Sequence, residues 1–132
     1  MNSIFTKIIK GEIPSYKIAE DENYYAFLDI NPLTKGHTLV VPKKEVDYIF
    51  DVDDQTLGGM MIFAKKVAKA IEKAVPCKRI GVTIIGLEVP HAHIHLIPIN
   101  GVNDMEFSKP KLKLSKEEFI TLASDIIKFV NF

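Results

Sequence analysis

Apolar residues Ile4, Phe5, Ile8 and Ile9 recur at helical spacing, and Gly11 and Pro14 close the pattern, so the sequence predicts a short amphipathic helix at the start of the chain. Residues 16–20 and 24–30 alternate apolar and polar positions on either side of Asp21-Glu22-Asn23, which is the pattern of a hairpin. The turn-rich stretch Asn31-Pro32-Leu33-Thr34-Lys35-Gly36 leads to a β-branched strand over 37–41, ended by Pro42. Asp53 or Asp54 can cap a long helix reaching Val75, with Leu57, Met60, Met61, Ala64, Val67, Ala68, Ile71 and Val75 as its apolar stripe. Lys65, Lys66, Lys69 and Lys73 cover the other face and crowd the C-terminal half, where the helix dipole favours cations. Pro76 stops this helix. Residues 79–85 form another β-branched strand, and Gly86-Leu87-Glu88 turns the chain into 90–98. In the tail, Ser115 and Glu118 make a capping box, with Leu114 and Phe119 placed as a hydrophobic staple. The order is helix, three strands, helix, two strands, helix. Short turns between successive strands predict an antiparallel sheet of about five strands with flanking helices, an α+β fold.

The segment Pro90-His91-Ala92-His93-Ile94-His95-Leu96-Ile97-Pro98 carries three of the four histidines, two residues apart. Strand side chains alternate faces with a period of two. As a strand, the segment turns His91, His93 and His95 one way and Ala92, Ile94 and Leu96 the other, with successive rings about 7 Å apart by strand rise. A helix would scatter the rings by about 200° per step, and the two prolines bracket too short a stretch for one. Three aligned imidazoles suit metal binding, nucleophilic or acid–base chemistry near neutral pH, or no more than a solvated polar face.

Composition narrows the choice by exclusion. The chain has 132 residues, 47% of them hydrophobic, enough for one domain spanning 1–132 around one core. Seventeen basic and seventeen acidic residues cancel, so charge gives no argument for nucleic-acid or membrane binding. The single cysteine, Cys77, forms no intrachain disulfide, and no apolar run has signal-peptide or membrane-span character, so a cytoplasmic location is expected.

The His-x-His-x-His segment with apolar residues between closely resembles the histidine triad (HIT) family of nucleotidyl hydrolases and transferases. Residues 4–14, Glu20-Asp21-Glu22, Ala26-Phe27-Leu28-Asp29-Ile30-Asn31-Pro32 and Gly36-His37-Thr38-Leu39-Val40-Val41-Pro42-Lys43 follow in that family's order, in the branch of the purine-nucleoside phosphoramidases. The resemblance implies that His93 attacks the α-phosphorus of a purine nucleotide conjugate. A nucleotidyl–histidine intermediate forms, which water hydrolyses. It implies His91, His95 and His37 as candidate donors to the developing phosphoryl charge, Asp29 and Ile30 at the ribose, and Ile4, Phe5, Ile8 and Phe27 around the base. Plain core is the other reading of Ile8 and Phe27, and a turn-capping carboxylate the other reading of Asp29. A homodimer through the helix after Asp53 and the following strand is also implied, with no cofactor.

Two pairs of positions depart from the family pattern. Leu87 and Glu88 stand where glutamine and serine are usual, and that serine is held to protonate the leaving group; Glu88 is the candidate for that role here. Ser3 and Thr6 occupy the places of a zinc-binding Cys-x-x-Cys found in some bacterial members, so that metal site is expected to be missing. A purine-nucleotide-binding adaptor with little turnover is the alternative function, and a metalloprotein using the histidines a third.

Overall fold

A computed structural model describes residues 2–132. The first helix, α1 (Ile4–Ile9), is capped by the Ser3 side chain, which accepts from the Thr6 backbone N–H. Strands β1 (Lys17–Glu20) and β2 (Tyr24–Leu28) form the expected hairpin, and β3 (Thr38–Pro42) follows. The long helix α2 (Asp54–Ala74) is capped by Asp53, whose carboxylate accepts from Thr56 N–H. Strands β4 (Arg79–Thr83) and β5 (Ile94–Ile99) come next, then α3 (Lys116–Ile127), opened by the reciprocal Ser115–Glu118 capping box. Single 3-10 turns lie at Ile49–Asp51 and Val102–Met105. The five strands make one antiparallel sheet in the order β1-β2-β3-β5-β4, so the α+β architecture is the one the apolar pattern predicts.

Alternation along β2 and β3 sorts the sheet into two working faces. Tyr24, Ala26, Leu28 and Val40 join Met60, Phe63, Ala64, Val67 and Ile71 of α2 and Phe119, Leu122 and Ile126 of α3 in the main core. Tyr25, Phe27, Leu39 and Val41 point the other way and meet Phe5 and Ile8 of α1. One face is thus closed by two long helices. The other is only partly closed by a six-residue helix, which leaves room for a cleft. Helix α2 approaches β2 closely at Gly59, where a Cβ would overlap the Tyr24 hydroxyl; that hydroxyl donates to Thr56 O at 2.9 Å.

The strand predicted over 90–98 is corrected. Ladder pairing begins at Ile94, opposite Val40, so of the three histidines only His95 lies in a strand. The backbone donors before it are used elsewhere: His91 N–H bonds Val89 O and Ala92 N–H bonds Val46 O in the β3–α2 connection. Pro90 has no donor at all. The alternation of faces nevertheless persists, since Ala92, Ile94 and Leu96 all enter the main core. Strands β2 and β4 also end sooner than predicted, at Leu28 and Thr83 rather than 30 and 85.

Candidate active site

A cleft of about 490 Å³ opens on the α1 face of the sheet. Ile4, Phe5, Ile8, Phe27, Asp29, Ile30, Glu88, His93 and His95 all line it, so these predicted residues come together. Ile8 and Phe27 belong to the smaller core, as the plain-core reading expects, and also form part of the cleft wall. Another hollow, of about 360 Å³ between the end of α2 and the start of α3, holds no histidine.

Four buried histidines are wired by hydrogen bonds whose directions follow from the partners. A carbonyl only accepts, so His93, 2.8 Å from His91 O through Nδ1, carries its proton on Nδ1. Its Nε2 is therefore a lone-pair nitrogen. His37 Nδ1 accepts from Leu33 N–H at 3.0 Å, which places the His37 proton on Nε2. That proton is donated to His95 Nδ1 at 3.0 Å, and the His95 proton is left on Nε2. His91 donates from Nε2 to Pro42 O at 2.8 Å and accepts the Ser3 hydroxyl at Nδ1, 2.7 Å away.

Two role assignments change as a result. His91 is fully buried and both its nitrogens bond within the protein, so it does not donate into the cleft. His37 is 1% exposed, lies behind His95, and spends its only N–H on that ring. It does not line the cleft itself; its N–H supports the His95 ring that does. The solvated-face reading of the triad also fails, since His93 and His95 are buried against Phe5 and Phe107.

Electrostatics favours neutral rings. Burial is the largest cause pulling all four below the ordinary imidazole value. His37 falls to about 3, with His95 and Lys111 adding to the burial effect, and His95 falls to about 4. His93 is lowered by burial and partly held up by its bond to His91 O. Asp29 moves the other way: burial raises it, against the opposing Asn31 N–H. Its Oδ1 caps the turn by accepting Asn31 N–H at 2.8 Å, as the turn reading expects, while Asp29 also lines the cleft. Asp29 Oδ2 lies 3.6 Å from His37 Nε2, but with His37 neutral this is no ion pair.

Asp29, His37 and His95 present potential metal-ligand atoms within 4.8 Å of one another. The tautomers oppose such a use. A metal on His37 Nε2 requires a proton on Nδ1, where Leu33 N–H already points.

Sequence reasoning missed part of the wall. Phe107, from the loop after Val102–Met105, stands edge-on to His95 with ring centroids 5.0 Å apart and closes the cleft on that side. It belongs to no periodic segment, so no hydrophobic pattern announces it. Ile13, Leu39, Ile85 and Val89 also line the cleft.

Residues 10–101 match the HIT domain family. An HIT-like protein of Borreliella burgdorferi is 39% identical over 131 residues, covering 93% of this chain and 94% of that one. The adenosine 5'-monophosphoramidase hnt1 of Schizosaccharomyces pombe is 37% identical over 129 residues, covering 96% of each. The crystal structure of a Hit-like protein involved in cell-cycle regulation from Bartonella henselae superimposes with a TM-score of 0.83 at 36% identity, covering 96% of this chain and 95% of that one.

Proposed function

The chain belongs to the HIT domain family, and from that premise we propose that it is a single-domain hydrolase or transferase acting at the α-phosphate of purine nucleotide conjugates through a nucleotidyl–His93 intermediate. The observation that carries this reading is the proton arrangement: one neutral lone-pair nitrogen, His93 Nε2, beside one N–H donor, His95 Nε2, in a single cleft. The kinship with an enzyme named adenosine 5'-monophosphoramidase supports the substrate class.

In the proposed first step His93 Nε2 forms a bond to the α-phosphorus as the bond to the leaving group breaks. The positive charge that develops on the ring is shared through Nδ1–H with His91 O. His95 Nε2–H donates to a non-bridging phosphoryl oxygen, where charge grows in the transition state. Water then attacks phosphorus from the side the leaving group vacated, the P–N bond breaks, and nucleoside monophosphate is released. Asp29 accepts from the ribose hydroxyls. Phe5, Ile8, Ile4 and Phe27 hold the base, with Ile30 at the mouth. Glu88, which lines the same cleft as His93, handles the leaving-group proton.

A panel of adenosine phosphoramidates, nucleotide esters and dinucleoside polyphosphates, with acid-quench trapping of labelled enzyme, tests this reading. Turnover with nucleotide covalently bound to His93 supports it. AMP binding by calorimetry with no turnover across the panel replaces it with the adaptor reading, which Leu87 and Glu88 motivate.

We further propose a homodimer. Strand β4 is an edge of the sheet, Val82 on it is exposed, and so are Met61 and Ile62 on the adjoining α2. A free apolar edge is a template for pairing with a second copy. The expected solution mass by light scattering is twice 14.9 kDa, and a monomer mass at all concentrations removes the claim.

No helix among the described residues is long and apolar enough to cross a membrane. The one cysteine, Cys77, is free, which suits the cytosol.

A further inference from the structure

His91 raises a question that the reaction does not answer. A titratable ring sits fully buried, with neither nitrogen facing the cleft. A buried polar ring is costly unless its partners are supplied, and here they come from two distant segments. Pro42, at the end of β3, accepts from Nε2. Ser3, at the start of α1, donates to Nδ1 at 2.7 Å.

Behind Ser3 the bonds continue to a carboxylate. Glu45 Oε1 accepts from Ser3 N–H at 2.7 Å and from the Thr6 hydroxyl at 2.5 Å. Thr6 N–H in turn donates to Ser3 Oγ at 3.1 Å. Each direction is forced. The carboxylate only accepts, so Thr6 spends its proton on Glu45, and the Ser3 hydroxyl proton is free for His91. Those two donors hold the Glu45 carboxyl below its usual range.

We propose that Ser3, Thr6 and Glu45 are positioning residues for the nucleophile, a polar clasp that fixes the tautomer and place of His91 and, through its carbonyl, the orientation of His93. The inference rests on the reading that His93 attacks phosphorus. His91 O is the acceptor that keeps the His93 proton on Nδ1. The clasp also fastens α1, whose Phe5 ring stands edge-on to His93 with centroids 4.9 Å apart. Releasing the clasp therefore loosens His93 from two sides. Ser3 and Thr6 lie outside the segment that matches the HIT domain, whereas Glu45 and His91 lie within it.

A purely structural clasp would only dock α1. Breaking it would raise KM, through Phe5 and Ile8, and lower thermal stability while leaving kcat alone. The variants are Ser3→Ala and Glu45→Ala, with Ser3→Thr and Glu45→Gln as conservative partners that keep a hydroxyl or an acceptor oxygen. Glu45 is exposed, so its truncation opens no core cavity and leaves a folded protein to measure. With a phosphoramidate that the wild type turns over, kcat should fall about 10-fold in each alanine variant, as small misplacements of reacting groups do, and recover in the conservative ones. Imidazole nitrogen–proton NMR on the unliganded protein gives the second reading. The His93 Nδ1 proton should be protected in the wild type and exchange faster in both alanine variants. Wild-type kcat together with an unchanged His93 proton in the alanine variants overturns the proposal, whatever KM does. A wild type that turns over no substrate counts against the hydrolase reading, and the NMR comparison then decides the clasp by itself.

Discussion

Replacing His93 with alanine is expected to lower nucleotidyl turnover by several orders of magnitude while AMP binding and the fold survive. Removing a covalent nucleophile eliminates the two-step path and does not merely weaken one contact. The fold should survive because His93 lies outside the β-ladder and lines the cleft, so truncation enlarges an existing opening. His95→Ala should cost less, about 10²–10³-fold, the usual loss for one donor to a developing oxyanion. His91→Ala should behave differently from both: the ring is fully buried, so its loss should lower stability as well as turnover. The order is read from single-turnover rates alongside AMP calorimetry. Near-wild-type turnover by His93→Ala removes the nucleophile assignment. Because burial holds His93 below the ordinary imidazole value, kcat/KM should begin to fall on acidification at a lower pH than a free imidazole, about 6.5, would set.

The second large effect is acid destabilisation. His37 titrates near 3 and His95 near 4 in the folded protein, against about 6.5 in an unfolded chain. Between these values the unfolded chain binds more protons, so the stabilisation is complete above about 6.5 and is lost as the pH falls through the window. Each histidine contributes a slope of about 1.4 kcal/mol per pH unit there. Two pH units acting on both rings approach the total stability of an ordinary domain, about 5–15 kcal/mol. Burial is the main reason that His37 resists protonation, and a charged ring would also set an Nδ1 proton against Leu33 N–H. Asp29 opposes the trend, since burial raises its value and the folded protein holds that proton more readily. Denaturant midpoints measured from pH 7.5 to 4.5 should fall steeply below about 6.5. His37→Gln, which keeps an acceptor and a donor but does not titrate, should make the slope shallower, since one of the depressed rings is gone. A flat profile in the wild type shows that the two rings are not held neutral by burial.

The sequence by itself determined the elements and their faces. Asp53 and Ser115 cap helices where they were expected to, because a cap is a contact over three residues. The period of two placed Ala92, Ile94 and Leu96 in the core and kept the histidines off it, even where the backbone is not a strand. The same local patterns, with the family resemblance, gathered Phe5, Ile8, Phe27, Asp29, His93 and His95 into one cleft. Tertiary structure alone decided what each histidine can do. The proton positions depend on partners far along the chain: Ser3 is 88 residues from His91, Pro42 is 49 from it, and His95 is 58 from His37. His91 and His37 therefore read as donors in sequence and emerge as supports for His93 and His95. Phe107 and Glu45 were invisible for the same reason. Apolar periodicity records which way a side chain faces, whereas a ring's tautomer is set by whichever carbonyl or N–H the fold brings against it.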